Sequence, residues 1–220
     1  MVEYNAPIRD YEFLFNEMFD ALPIVQNLGY DFDSDFLSML TEGWAEHAKE
    51  VWLPINQLGD RVGLKFDDGN ILMPEEFKSA YNESIEGGWL STACKTEHGG
   101  MGVPLFFQTV TWAEIGTSTN MAMSVLPALT LGVYDVLVEH GERELIDYFA
   151  SKLASGKWAG TMCLTEPHAG TDLGIISTKA VPQDDGSYRV TGTKIFITYG
   201  EHDMSENIFR LVRAKTPGAP

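Results

Sequence analysis

Apolar residues recur at every third or fourth position as far as about Gly156 and at every second position afterwards, a pattern that predicts helices followed by strands. Phe36, Leu40, Trp44 and Ala48 stand four apart behind Ser34 and Asp35, either of which can cap the helix they predict. Pro74 opens a second helix, with Phe77, Tyr81 and Ile85 on one face and Gly87-Gly88 as its stop. A third runs from Pro104 to Ile115, carries Phe107, Val110 and Trp112, and ends at Gly116. A fourth begins near Glu142 and directs Leu145, Tyr148, Phe149 and Leu153 inward.

Beyond Gly156 the predicted strands are Trp158 to Leu164, a strand around Tyr188 and Val190 entered through the turn Asp184-Asp185-Gly186, Ile195 to Thr198, and Ile208 to Ala214. Thr216-Pro217-Gly218-Ala219-Pro220 has the composition of a linker. The fold class expected is α+β, with a helical domain over 1–157 and an unfinished β domain over 158–220.

Composition narrows the picture. At 44% hydrophobic and 11% aromatic content, the 220 residues can bury a core. A net charge of -17 argues against nucleic acid, which requires clustered Lys and Arg to displace counterions. Arg210, Arg213 and Lys215 alternate with apolar residues and read as part of a strand. The lead Met1-Val2-Glu3-Tyr4-Asn5-Ala6-Pro7 has neither the apolar run of a secretory signal nor the Arg-rich face of a presequence, and no stretch approaches roughly 18 consecutive apolar residues. A cytoplasmic location without a membrane span is therefore expected. Cys94 and Cys163 lack CxxC spacing and read as small buried hydrophobes.

Candidate chemistry concentrates in Met162-Cys163-Leu164-Thr165-Glu166-Pro167-His168-Ala169-Gly170-Thr171-Asp172-Leu173-Gly174. It leaves a strand at Leu164 and sets the hydroxyls of Thr165 and Thr171 around a Pro/Gly turn, where glycine lets backbone approach a ligand closely. Such a loop suits a phosphate-bearing cofactor, although taken alone a Thr/Gly/Pro loop is more often a plain connection.

The string Thr165-Glu166-Pro167-x-Ala169-Gly170-Thr171-Asp172 closely resembles the flavin-loop motif of the acyl-CoA dehydrogenase family, usually TEPxAGSD. Other blocks agree in order. Glu97-His98-Gly99-Gly100-Met101-Gly102 is similar to the family's E-x-GG-x-G segment. Glu139-His140-Gly141, leading into Gly156-Lys157-Trp158, looks like its HG turn, helix and entry to the middle domain. Gly192-Thr193-Lys194-Ile195-Phe196-Ile197-Thr198-Tyr199-Gly200 resembles its G-x-K-x-(W/F)-I-T-x-G strand. The wording is most like the long enzymes acting on 3-methylthiopropionyl-CoA and related thioesters.

The resemblance implies a helical domain, part of a middle β-barrel domain, and a C-terminal helical bundle absent from these residues. It implies FAD as cofactor, with Met162, Leu164 and Thr165 against the isoalloxazine ring and Thr165 bonded to its polar edge. Gly170 and Thr171 would approach the pyrophosphate, and Thr171 would also touch the CoA of the substrate. Phe196 would pack on the flavin, followed by Ile197, and Thr198 would place a hydroxyl near N5. Strand alternation would put Phe196 and Thr198 on one side.

The implied reaction is α,β-dehydrogenation of an acyl-CoA thioester, in which a carboxylate removes the α-proton and the β-hydrogen leaves as hydride. Relatives hold that carboxylate on the helical domain after the β domain, so no catalytic residue is assigned here and the chain alone is expected to be inactive. Glu166 is expected to be structural. His98, His140, His168 and His202 lack metal-site spacing and are expected to cap or sit at the surface, with no metal bound. Electron-transfer flavoprotein or a similar acceptor and a homo-oligomer are the expected partners. An acyl-CoA oxidase or flavin monooxygenase on the same scaffold, or an inactive binding module, are the alternatives.

Overall fold

The computed structural model describes residues 3–218; Met1, Val2, Ala219 and Pro220, at the ends of the lead and of the linker-like tail, lie outside the described residues. Helix α1, Ile8–Glu12, runs through a wide turn into the short α2, Ala21–Asn27. Helix α3, Ser34–His47, is capped one residue earlier than the sequence indicates. Extended Asp33 swings its carboxylate over the first turn, where Oδ1 accepts from the Phe36 amide at 2.8 Å. A wide turn joins α3 to α4, Leu53–Val62.

The strands β1, Lys65–Asp67, and β2, Asn70–Leu72, then form a hairpin that the periodicity does not reveal. Its signal was in the turn, since Asp68 and Gly69 both take positive φ, at 46° and 89°, as a tight two-residue hairpin turn demands. Helix α5, Glu75–Glu86, follows Pro74 as expected.

The third predicted helix does not stop at Gly116. Helix α6, Leu105–Gln108, passes through a wide turn into α7, Glu114–His140, and Gly116 lies well inside the run. Gly116 serves close approach rather than termination: a Cβ there would stand 3.2 Å from the Trp52 ring and 3.3 Å from that of Trp44. Non-helical Asn120 breaks α7 instead, and its side chain repairs the break by donating to the Trp52 carbonyl and accepting from the Met123 amide. By length and composition Leu105–His140 could cross a bilayer, a property that a count of consecutive apolar residues misses. Here it is the helix on which the core is built.

One apolar cluster gathers α3, α5 and α7 around Trp44, Trp52, Tyr81, Trp112 and Leu126. Trp44 stacks on Trp112 with centroids 4.7 Å apart, while Trp52 meets both rings edge-on. The indole of Trp52 donates to Ser84 Oγ, and that hydroxyl donates to the Ala80 carbonyl. Its single proton being committed, Ser84 can only accept from His47 Nε2 at 2.8 Å, which fixes the neutral Nε2–H tautomer. Burial pushes the His47 pKa down to about 4 in agreement.

Helix α8, Arg143–Ala154, buries Ala150, Leu153 and Ala154 against α7. Leu145 and Tyr148, expected inside, are exposed, because the small Ala150 and Ala154 permit the closer contact and rotate the helix onto their face. Tyr148 instead lies beneath the Lys152 ammonium, 3.4 Å from its centroid.

Strands begin at β3, Trp158–Cys163. β4, Lys179–Pro182, pairs antiparallel with β5, Tyr188–Thr191, and β6, Asn207–Val212, pairs in parallel with β3. Ile195 to Thr198 is not a strand. Its β-branched residues favour one, but φ of 57° at Phe196 and 53° at Tyr199 interrupts the extended chain.

Gly160 lets β3 lie directly on α7, its amide donating to Thr130 Oγ1 at 2.9 Å. A Cβ on it would stand 2.8 Å from Val133 Cβ and 3.0 Å from Thr130 Cα, neither of which can rotate away. Gly160→Ala is therefore expected to destabilise the chain by about 1–3 kcal/mol in urea denaturation. A change within about 0.5 kcal/mol would contradict this packing.

Candidate functional site

Glu166 anchors the loop after β3. Its side chain is fully buried yet has four donors. The Ser177 amide and hydroxyl reach Oε2 at 2.7 and 2.8 Å, while the Thr178 amide and Lys194 Nζ reach Oε1 at 3.0 and 2.9 Å. Burial by itself would raise the carboxyl pKa, but the bonds from Thr178, Ser177 and Lys194 outweigh it and hold the group well below the usual carboxylate range. A buried carboxylate held in its weakly basic, fully bonded form is poorly placed to take a proton from a ligand.

Lys194 also donates to the Leu164 carbonyl at 2.8 Å, so one ammonium ties the end of β3, the loop acid and the 195–198 segment together. Glu166 and Ala169 close the loop with reciprocal backbone bonds of 2.9 and 3.1 Å. His168 Nε2 donates to the Ile175 carbonyl at 3.1 Å.

The 195–198 segment runs antiparallel beside β3, held where the Ile195 amide donates to Thr165 O at 2.9 Å and Thr161 Oγ1 to Thr198 O at 2.7 Å. These contacts unite the two blocks that the sequence analysis singled out. Met162, 40% exposed, and half-buried Leu164, Thr165 and Ile197 adjoin exposed Thr198 and Phe196. Gly170 and Thr171 are exposed farther along the loop.

No strand forms there, yet Phe196 and Thr198 are both exposed between half-buried neighbours; Phe196 has positive φ and its ring is 88% exposed. An aromatic ring so bare beside a buried, fully bonded clamp offers a flat apolar surface. Among the described residues, the Gly170 and Thr171 amides have no protein hydrogen-bond partner. The arrangement fits a flavin nucleotide: an aromatic and aliphatic face for the ring, hydroxyls at its edge, and free amides for phosphate oxygens.

Two features escaped the sequence reading. A cavity of about 440 Å³ opens between α4, α5, α7 and the turn after Thr198, lined by Leu64, Met73, Phe77, Val125, Thr198 and Tyr199. Its residues lie far apart in sequence, and apart from Thr198 and Tyr199 none of those named belongs to a motif. The second concerns the histidines. His98 and His202 are neither caps nor surface groups: His98 Nδ1 bonds the Tyr134 hydroxyl at 2.7 Å, and buried His202 accepts from the Met204 amide at 3.2 Å.

Glu166→Gln would present an amide donor to a ring of donors and leave the nearly buried Lys194 without its anion. It should lower the melting temperature more than Lys194→Met, which leaves the carboxylate its backbone donors. Because the folded pKa is depressed, this carboxylate's contribution is complete above its ordinary value of about 4.5 and is lost as pH falls through the folded value. Thermal melts across pH should therefore show the gap between wild type and Glu166→Gln narrowing on the acid side; a gap that widens there would contradict the clamp.

Residues 64–157 match the profile of the acyl-CoA dehydrogenase N-terminal domain, and residues 161–219 that of the acyl-CoA dehydrogenase middle domain. The chain is 41% identical over 219 residues to 3-methylmercaptopropionyl-CoA dehydrogenase of Ruegeria pomeroyi, covering 99% of this chain and 37% of that protein. It is 35% identical over 222 residues to a butyryl-CoA dehydrogenase of Syntrophomonas wolfei, covering 98% and 36%. The acyl-CoA dehydrogenase complexed with FAD from Bacillus anthracis superposes with a TM-score of 0.69 at 22% identity, over 86% of this chain and 30% of that one, a likeness of fold. The chain thus spans little more than a third of the length of the two curated relatives. With both adjoining profiles matched in order, the chain belongs to the acyl-CoA dehydrogenase family.

Proposed function

We propose that this chain supplies the flavin-holding face of an FAD-dependent acyl-CoA dehydrogenase that carries out α,β-dehydrogenation of an acyl-CoA thioester. The observation that carries the reading is the exposed Phe196 ring, held out beside a loop that the Glu166 clamp makes rigid. Bound FAD would supply the hydride acceptor. Met162, Leu164 and Phe196 would cover its ring, the Thr165 hydroxyl would donate to the edge that gains negative charge on reduction, and Thr198 would place its hydroxyl near N5. The Gly170 and Thr171 amides would take the pyrophosphate, with Thr171 also near the CoA.

The largely apolar cavity next to Thr198 would receive the acyl chain. The match to the 3-methylmercaptopropionyl-CoA enzyme supports a short thioester of that class. An electron-transfer flavoprotein or similar acceptor, assembly as a homo-oligomer and a cytoplasmic location belong to the same proposal.

Titrating the purified 220-residue chain with FAD, followed by absorbance and by quenching of flavin fluorescence, tests the reading. Saturable binding is expected, weakened about fivefold to tenfold by Phe196→Ala through lost ring stacking. Failure of the wild-type chain to bind FAD would overturn it, and unchanged affinity in the variant would remove Phe196 from the face.

A further inference from the structure

Two non-glycine residues with left-handed backbone, Phe196 and Tyr199, bracket Ile197-Thr198. Aromatic residues seldom adopt this conformation, so the surroundings must impose it. Most of the bonds that do so are local to the β layer. Thr161 Oγ1 holds Thr198 O, the Gly200 amide donates to Ile197 O at 3.1 Å, and the Arg210 guanidinium donates twice to Gly200 O at 3.2 and 2.8 Å.

Tyr199 reaches further. Its hydroxyl donates to the Ala122 carbonyl on α7 at 2.7 Å, while its ring meets His202 edge-on at 5.5 Å. Ala122 is a firm anchor, because the Asn120 side chain ties the break in α7 both to Trp52 O, before α4, and to the Met123 amide just beyond it. Thr198 therefore lies between a bond to β3 through its own carbonyl and a bond to α7 through its neighbour.

Resting on the proposed function, we infer that Tyr199 is a positioning residue: through its bond to Ala122 it holds the Thr198 hydroxyl on the flavin face. The ring alone would suffice if Tyr199 merely walled the cavity, whereas positioning requires the hydroxyl. Tyr199→Phe separates the two roles, since it keeps the ring and loses one bond.

In the 220-residue chain, Tyr199→Phe is expected to weaken FAD about fivefold. It should also shift the bound flavin's visible spectrum and its reduction potential, as displacement of a hydroxyl near N5 predicts. Thr198→Val should do the same, and the double variant should be no worse than Thr198→Val alone, because Tyr199 acts through that hydroxyl. Hydrogen exchange of the 195–200 segment should quicken in Tyr199→Phe. A lowered melting temperature with unchanged affinity, spectrum and exchange, or additive effects in the double variant, would make Tyr199 ordinary packing and overturn the inference. Should the wild-type chain not bind FAD, the proposed function falls separately. The exchange arm then decides whether the latch exists: faster exchange in Tyr199→Phe upholds it and unchanged exchange refutes it.

Discussion

A buried carboxylate organises this molecule's site. Desolvating Glu166 is costly unless every lone pair finds a donor, and the chain meets that demand by bringing Ser177, Thr178 and Lys194 to one point. Satisfying the charge fixes the geometry. The loop cannot slide without stranding an anion, and Lys194 cannot leave without also releasing the end of β3. The strand β3 and the 195–198 segment, which carry exposed Met162, Phe196 and Thr198, are thus held by groups other than those three side chains. This separation of duties frees the surface hydroxyls and the Phe196 ring for a ligand.

The clamp would still be useless if the β layer drifted against the helices. Two residues, Asp203 and Tyr199, tie the β layer to the helices. Asp203 accepts from the Met73 amide at 2.8 Å and pairs with Lys78 at 2.6 Å, and Tyr199 reaches Ala122. Along β3, glycine replaces polar bonding, with Gly160 admitting the backbone of α7 against β3. The break in α7 at Asn120 belongs to the same scheme. Straight helix would carry Ala122 elsewhere, and the buried Asn120 amide recovers the hydrogen bonds that the bend gives up.

Legibility in the sequence followed the range of the forces involved. The α3 and α5 helices were readable from apolar spacing because capping and amphipathicity act within a few residues, and even there Asp33 took the capping place expected of its neighbours. Gly116 was misread because glycine's two uses, ending a helix and admitting a neighbour, look alike until Trp44 and Trp52 are in place. Leu145 and Tyr148 were misread because the face of α8 is chosen by the smallness of Ala150 and Ala154, which hydrophobic spacing ignores. The Ile195 to Thr198 stretch carried strand propensity but yields to tertiary bonds. The candidate site residues were singled out by their literal wording rather than by their pattern. What wording could not supply was the cavity, whose lining comes from several separate elements.

A net charge of -17 would appear to disfavour a cofactor and a substrate that both carry phosphates. Range resolves the conflict. At physiological ionic strength a charge is screened beyond about 8 Å, so distant surface carboxylates contribute little to the potential at the loop. Donors in contact contribute much more. At the loop buried Glu166 is paired with Lys194 and enclosed by amides, while the exposed carboxylate next to Thr171, Asp172, accepts from the Gly174 amide. Lys215 adds a positive charge at the loop's far end, where its ammonium donates to the Gly174 carbonyl at 2.8 Å. The overall acidity therefore bears on solubility and non-specific association, while the phosphate binding proposed for this loop would be governed by the few groups at its surface.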